Sequence, residues 1–238
     1  MQIPDDAPAQ IPDQDGGRPF TSSSSPDRRL TLRGRAIAIT FAGALLAYAV
    51  LAVLANRFPY FAWDVDLARS IQSIAVPGFY RLMRWISVPG TGITPFVLVL
   101  LAAIALFLAR LRVEAAVCGI GSGLGSVLDR LLKELSDRPR PASSLVHVLG
   151  HFTNESFPSG HVFFYVEFFG FLLFLSWLHL KPSMLRTLIL AFLSLLIALI
   201  GVSRVYLGAH WPSDVAGAYL GGGIWLCLMI AAYTRLRM

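Results

Sequence analysis

The chain reads as an all-α, polytopic membrane protein: six transmembrane helices with short interfacial helices between the first two. Three observations predict this. Of 238 residues, 55% are hydrophobic and only 14% are charged, and the mean hydropathy is +0.64, outside the usual range of a soluble globular domain. Six stretches approach the about 20 apolar residues that a helix needs to cross a hydrocarbon core of about 30 Å. The basic residues are spread over the segments that flank those stretches, as membrane-bordering loops require.

Each element follows from its composition. Residues 1–30 carry Pro4, Pro8, Pro12, Pro19, Pro26, a run from Ser22 to Ser25 and scattered Asp. With almost nothing to bury, this stretch is expected to be a disordered tail, and without a charged start followed by an apolar run it does not read as a signal peptide. The membrane domain then occupies 31–238. Its first span is expected from Ala36 to Leu54. Asp64 to Ile74 and Pro77 to Ser87 place apolar residues at helical spacing, with Trp63, Tyr80 and Trp85 interleaved. They read as helices lying in the interface, either an aromatic anchoring belt or a lid over a lipid entrance.

The second span is expected over Gly92 to Ala109 and the third over Val113 to Leu131. Gly119, Gly121, Gly123 and Gly125 weaken the third as an isolated helix, but small residues at such spacing let helix backbones approach, so it reads as a packed interior helix. His161 to Leu178, Leu185 to Leu207 and Ser213 to Thr234 complete the six. Cys118 and Cys227 fall inside spans, where they are expected to be small buried residues without metal or redox spacing.

Orientation follows from the basic residues. Arg28, Arg29, Arg33, Arg35, Arg110, Arg112, Lys181, Arg186, Arg235 and Arg237 fall on one side of six crossings, which places both termini in the cytoplasm. The other side also holds cations, several of them in three polar clusters that have a separate reason to be there. The net charge of +6 and isoelectric point near 9.7 do not indicate nucleic acid, because the cations form no single patch. They fit anionic lipid headgroups instead.

The clusters carry the chemistry. The first is Lys133 with Arg140-Pro141, the second Pro158-Ser159-Gly160-His161, the third Ser203-Arg204 with His210 and Asp214. All lie at the outer ends of spans, and charges beside a membrane are costly enough to need a reason. Pro212 fits the first position of a helix, so Asp214 lies in the first turn, from where its carboxylate is expected to reach back to His210 and fix the tautomer. Ser159 is expected to cap the next helix, with Gly160 opening the backbone to a ligand and His161 in the first turn; such a helix start suits an anion. Lys133, Arg140 and Arg204 supply cations for a phosphoryl group. No cluster of Asp, Glu or Cys suggests a metal, and no cofactor is expected. Glu167 lies on the same helix as His161, rotated away from it at 100° per residue. It is read as forming a helix-packing hydrogen bond, with a role in the substrate cleft as the alternative.

Taken together, Lys-x6-Arg-Pro, Pro-Ser-Gly-His and Ser-Arg-x5-His-x3-Asp, in this order over residues 133–214, resemble the type 2 phosphatidic acid phosphatase superfamily. The soluble vanadium haloperoxidases share this site, but the spans and small size argue against them, and a non-enzymatic lipid carrier would not need a full set of phosphate ligands. The resemblance implies a six-helix bundle and a metal-independent lipid phosphatase. In it His210, oriented by Asp214, attacks phosphorus to form a phosphohistidine and His161 protonates the leaving group. Lys133, Ser159, Gly160, Arg140 and Arg204 would bind the phosphoryl oxygens. An outward-facing site suggests undecaprenyl diphosphate as substrate, with phosphatidylglycerol phosphate, phosphatidate and lipid A phosphates as alternatives. The expected partners are the lipid substrate and the surrounding bilayer; oligomeric state is not implied.

Overall fold

In a computed structural model, residues 26–152 and 155–238 are described, with side chains from Gly34 onward. By contacts the chain separates into residues 1–39 and 40–238. In the first unit the described part is helical from Pro26, so helix begins inside the stretch expected to be a tail. Residues 1–25, the rest of that expected tail, lie outside the described residues.

The described residues are helical throughout, with no strand. The helices are α1 (Pro26–Arg57), α2 (Ala62–Gln72), α3 (Phe79–Ser87), α4 (Thr94–Leu108), α5 (Arg112–Ser136), α6 (Gly160–Phe164), α7 (Gly170–His179), α8 (Met184–Tyr206) and α9 (Pro212–Arg237). Five are long and apolar enough to cross a membrane when α6 and α7 are counted as one: Gly34–Arg57, Arg112–Ser136, Gly160–His179, Met184–Tyr206 and Pro212–Arg237. The second span departs from expectation. Its α4 has 15 residues, about 22 Å at 1.5 Å per residue, and completes a crossing only with the helical stretch Phe79–Gly90, from which it is bent by 61°. Gly92, at φ 58°, lies in the break, a backbone conformation that glycine adopts without penalty. The bend lays α3 across the end of the bundle.

Helix ends follow local chemistry. At α9, Pro212 occupies the first position and the Asp214 carboxylate accepts the Trp211 N–H at 2.8 Å, so one side chain both caps the helix and enters the site. Asp64 does the same for α2, accepting from Phe61 N–H at 3.0 Å. Residues 165–169 between α6 and α7 form a π-helical turn. A wider turn alters the angular register, so a wheel drawn at 100° per residue misplaces what lies in and beyond it.

The span α6–α7 forms the centre: most of its residues are buried, against a third or fewer in the other long spans. Phe164 stacks on Phe168 there, and Phe169 meets Phe164, Tyr165 and Phe168 edge-on, while the Tyr165 hydroxyl donates to Ile86 O of α3. The α5 glycines serve close packing at three of four positions. Gly119 approaches Ala103, Gly121 approaches Met229, and Gly125 lies against Glu167 and Trp225, while Gly123 has nothing within 4 Å of its missing Cβ. Cys118 is buried as expected, but Cys227 is exposed, on an outward face of α9. The interfacial helices are neither a simple belt nor a loose lid. Trp63 and Trp85 are exposed as a belt requires, yet Arg69 Nε donates to Leu145 O at 2.9 Å and Gln72 holds both the N–H and the carbonyl of His147.

Gly217 on α9 is a tight packing position beside the site, since a Cβ there would lie 2.6 Å from Phe157 Cζ, and closer still to the next ring carbon. Phe157 is buried and directly precedes Pro158. Gly217→Ala is therefore expected to cost about 1–3 kcal/mol by overpacking, read as a lower thermal unfolding temperature in detergent. Gly123→Ala, where the space is open, should leave that temperature unchanged or raise it slightly.

Candidate active site

The three polar clusters converge at one end of the bundle. A cavity of about 320 Å³ is lined there by Lys133, Arg140, His161, Arg204 and His210, with Thr91 and Phe152 at its sides. The last turn of α5 brings Lys133, the following loop Arg140, the start of α6 His161, the last turn of α8 Arg204, and the short turn before α9 His210. Gly208, at φ 67°, makes that turn possible; its missing side chain also leaves room for His147 O.

His210 is buried, and its Nδ1 lies 2.8 Å from Ser156 O. A carbonyl can only accept, so Nδ1 carries the proton and Nε2 presents its lone pair, 3.3 Å from Arg140 NH1. Burial first, and then the cations Arg140, Arg204 and Lys133, hold the imidazole well below the ordinary histidine range; only its bond to Ser156 works the other way. His210 is thus neutral with Nε2 available at neutral pH.

Asp214 does not make the expected direct bond to His210. Its Oδ2 is 3.8 Å from His210 Nδ1, beyond hydrogen-bond reach, because its oxygens are already engaged. Oδ1 accepts from Arg138 at 2.5 Å, and Oδ2 accepts from Ser156 Oγ at 2.5 Å and Trp211 N–H at 2.8 Å. Orientation passes through Ser156, whose hydroxyl binds Asp214 and whose carbonyl binds His210.

Arg138, in the loop between Lys133 and Arg140, is the centre of this arrangement. Its side chain is fully buried between Asp64 at 3.0 Å and Asp214 at 2.5 Å, donates to Ser213 Oγ at 2.8 Å, and stacks 5.0 Å from the Phe61 ring. Asp64 in turn accepts the Ser213 N–H at 2.8 Å and its hydroxyl at 2.7 Å. A buried charge set is tolerable only when each member is paired and hydrogen-bonded in this way. Nothing in the sequence signals Asp64, which lies 74 residues before Arg138; an acid near the start of an amphipathic helix reads as a cap, and it is one.

The second cluster also departs in detail. Ser159 sits at the cap position of α6, yet its hydroxyl makes no capping bond and has no partner although buried. Gly160 has a reason beyond ligand approach: a Cβ there would lie 2.7 Å from Asp129 Oδ2. Asp129, unnoticed in sequence, faces Lys133 at 3.7 Å, and Lys133 Nζ donates to Pro158 O. His161 Nε2 is 3.2 Å from Thr91 Oγ1, and its ring packs where a side chain at Gly90 would stand.

Arg204 is anchored by α3, donating to Ser87 Oγ at 3.1 Å. Ser203 lies 2.7 Å from the same hydroxyl and donates to Met83 O at 2.6 Å, which accounts for the serine before the arginine. The Phe152 ring stands 5.4 Å from both Arg140 and Arg204, separating two cations that would otherwise repel at close range. Arg140 also donates to Ala209 O at 2.7 Å. Glu167 does not join the site, and the packing hydrogen bond expected for it does not form. It is fully buried with both carboxyl oxygens unpartnered, packed against Gly125.

Chemically, the end of the bundle offers a neutral imidazole nitrogen, a second imidazole across the same cavity, three cations and a buried hydroxyl. Such a set suits a phosphoryl group and little else. Comparison with known proteins agrees. Phosphatidylglycerophosphatase B of Bacillus subtilis is 25% identical over 185 residues, 73% of this chain and 85% of that protein. The putative undecaprenyl-diphosphatase YbjG of Escherichia coli is 40% identical over 88 residues, 37% of this chain and 40% of that protein. The crystal structure of a transmembrane PAP2-type phosphatidylglycerolphosphate phosphatase from Bacillus subtilis matches the fold with a TM-score of 0.71 at 22% identity, over 82% of this chain and 96% of that one. The model of the PAP2 superfamily matches residues 114–238, the stretch that carries every one of the three clusters, and the chain belongs to that superfamily.

Proposed function

We propose that this multi-pass membrane protein is a lipid phosphatase that releases phosphate from a lipid diphosphate, undecaprenyl diphosphate foremost, through a phosphohistidine on His210. The observation that carries the reading is the His210 imidazole, with Nδ1–H bound to Ser156 O and Nε2 turned toward three cations and His161. The phosphate enters carrying one proton, which His161 takes up from its oxygens. Nε2 then bonds to phosphorus as the bond to the lipid-side oxygen breaks, and the His161 imidazolium gives that oxygen the proton. His161, now neutral, then takes a proton from water, whose oxygen displaces His210 and yields inorganic phosphate. Lys133, Arg140 and Arg204, with the Ser159 hydroxyl and the Gly160 N–H, stabilise the charge on the phosphoryl oxygens.

Two further features support a lipid substrate on the outer side. An apolar crevice of about 590 Å³ runs between α4 and α5 from Gly92 and Phe164 along Phe96, Val99 and Leu100, room for hydrocarbon at membrane depth. At the end of the bundle away from the site, Arg110, Arg112, Lys181, Arg186, Arg235 and Arg237 border the spans. At the site end Arg69, Lys133, Arg138, Arg140 and Arg204 are engaged within the protein, which leaves the exposed Arg57, Arg81, Arg84 and Arg130 there against the six at the other end. The basic residues left to orient the chain thus favour cytoplasmic termini and an outward-facing site. Phosphatidylglycerol phosphate is the second reading, favoured by the longer match to phosphatidylglycerophosphatase B.

The direct test is phosphate release in detergent from a panel of undecaprenyl diphosphate, phosphatidylglycerol phosphate, phosphatidate and lipid A phosphate. His210→Ala should lower turnover by about a thousandfold or more, and full activity in that variant would refute the nucleophile. Because the His210 pKa is lowered from 6.5, the acid limb of kcat/KM assigned to it should lie below pH 6.5, with activity lost as pH falls through it. Arg140→Gln removes one of the cations that depress it, so in the residual activity that limb should move to higher pH. Asp64→Asn leaves Arg138 with one carboxylate and loosens Asp214. It should lower kcat by roughly tenfold or more with KM little changed, and an undiminished kcat would exclude the positioning role.

A further inference from the structure

Beyond the catalytic cavity lies a trough that the chemistry above does not use. A second cavity, of about 450 Å³, shares Thr91, Phe152 and Arg204 with the catalytic one and continues over Arg84, Tyr80 and Thr94. A third, of about 620 Å³, shares Tyr80, Arg84 and Val88 with the second and adds Arg81 and Trp85. The three form one path along α3, from the exposed aromatic face of that helix to Arg204. Arg81 and Arg84 are exposed, and no carboxylate among the described residues pairs with either. Arg84 is held over the Tyr80 ring at 5.8 Å.

The floor of the trough is firm. Ser87 and Met83 of α3 are buried and bound to Ser203 and Arg204 of α8, so α3 keeps a fixed position beside the catalytic cations. A phosphate being cleaved is surrounded by Lys133, Arg140 and Arg204, and from α3 it needs only the Ser87 hydroxyl that holds Arg204. The next anionic group along the same molecule, one oxygen or one glycerol further out, would leave the catalytic cavity past Thr91 and Arg204. There it meets the Thr94 hydroxyl and the Arg84 guanidinium, a planar donor suited to phosphate oxygens.

We propose that this trough is a second phosphate subsite, with Arg84 as its main ligand, which takes the uncleaved phosphate of the same substrate molecule. It selects lipids with two phosphates over lipids with one. The proposal rests on the phosphatase reading above and adds to it which class of lipid phosphate the site prefers. Both a prenyl diphosphate and a phosphatidylglycerol phosphate carry the required second group; a prenyl monophosphate and phosphatidate do not.

The test compares the wild-type protein, Arg84→Gln and Arg84→Lys in detergent on farnesyl diphosphate, farnesyl phosphate, phosphatidylglycerol phosphate and phosphatidate. For Arg84→Gln, KM on substrates with two phosphates should rise about tenfold, the size expected for one lost charge-assisted contact. The monophosphates should change by twofold or less, and Arg84→Lys should recover part of the loss. A rise confined to farnesyl diphosphate or to phosphatidylglycerol phosphate would support the subsite and identify which source it is built for. Equal losses on both classes, or none on the two-phosphate lipids, would overturn the subsite while leaving the phosphatase intact. Absence of phosphate release from all four by the wild-type protein would overturn both.

Discussion

The catalytic end of this protein depends on one buried guanidinium. Arg138 lies between Asp64 of α2 and Asp214 of α9, with Ser213 closing the ring. Charges withdrawn from water are expensive, and removing any single member leaves another uncompensated. That penalty makes the set cooperative, and the cooperativity fixes the geometry. The start of α9, the interfacial helix α2 and the loop after α5 are locked together at the point where the His210 imidazole emerges. From Asp214 the constraint passes through the Ser156 hydroxyl to its carbonyl, and from the carbonyl to His210 Nδ1.

The same economy recurs around the cavity. Lys133 is set between Asp129 and Pro158 O, and Arg204 hangs from Ser87 of α3. Lys133, Arg140 and Arg204 each line the cavity while being held in place by the protein. Arg138, by contrast, is saturated by two carboxylates. The division separates a structural charge from charges available to a phosphoryl group, although all four are basic residues within one small region.

Much of this was legible in the chain. The apolar stretches, the close packing of the α5 glycines and the convergence of three polar clusters follow from hydropathy, small-residue spacing and parity of crossings. The interior position expected for α5 belongs to α6–α7 instead, 61% buried against 28%. Lys133, Arg140, His161, Arg204 and His210 do line one cavity. Other parts were not legible, for reasons that differ. The second span needed a bend of 61° that hydropathy cannot express. Glu167 lies away from the site as its helical position implies, but the packing hydrogen bond expected of it does not form, since a polar residue in a span does not reveal whether a partner reaches it. The link from Asp214 to His210 was assigned by spacing alone, which cannot register that other donors reach the carboxylate first.

Sequence alone determined the membrane class, the order of spans, and the identity of the polar groups that line the cavity, because those depend on residue type and on periodicities of a few residues. Tertiary structure decided which charges are buried among carboxylates and which line the cavity, and brought Asp64, Ser87 and Ser156 to the site. It also laid α3 beside Arg204, with Arg84 along the path out of the cavity. These relations join residues that are 54 to 117 positions apart. Local preference carries no information over such separations; they are settled only when helices pack and buried polar groups must all find partners at once.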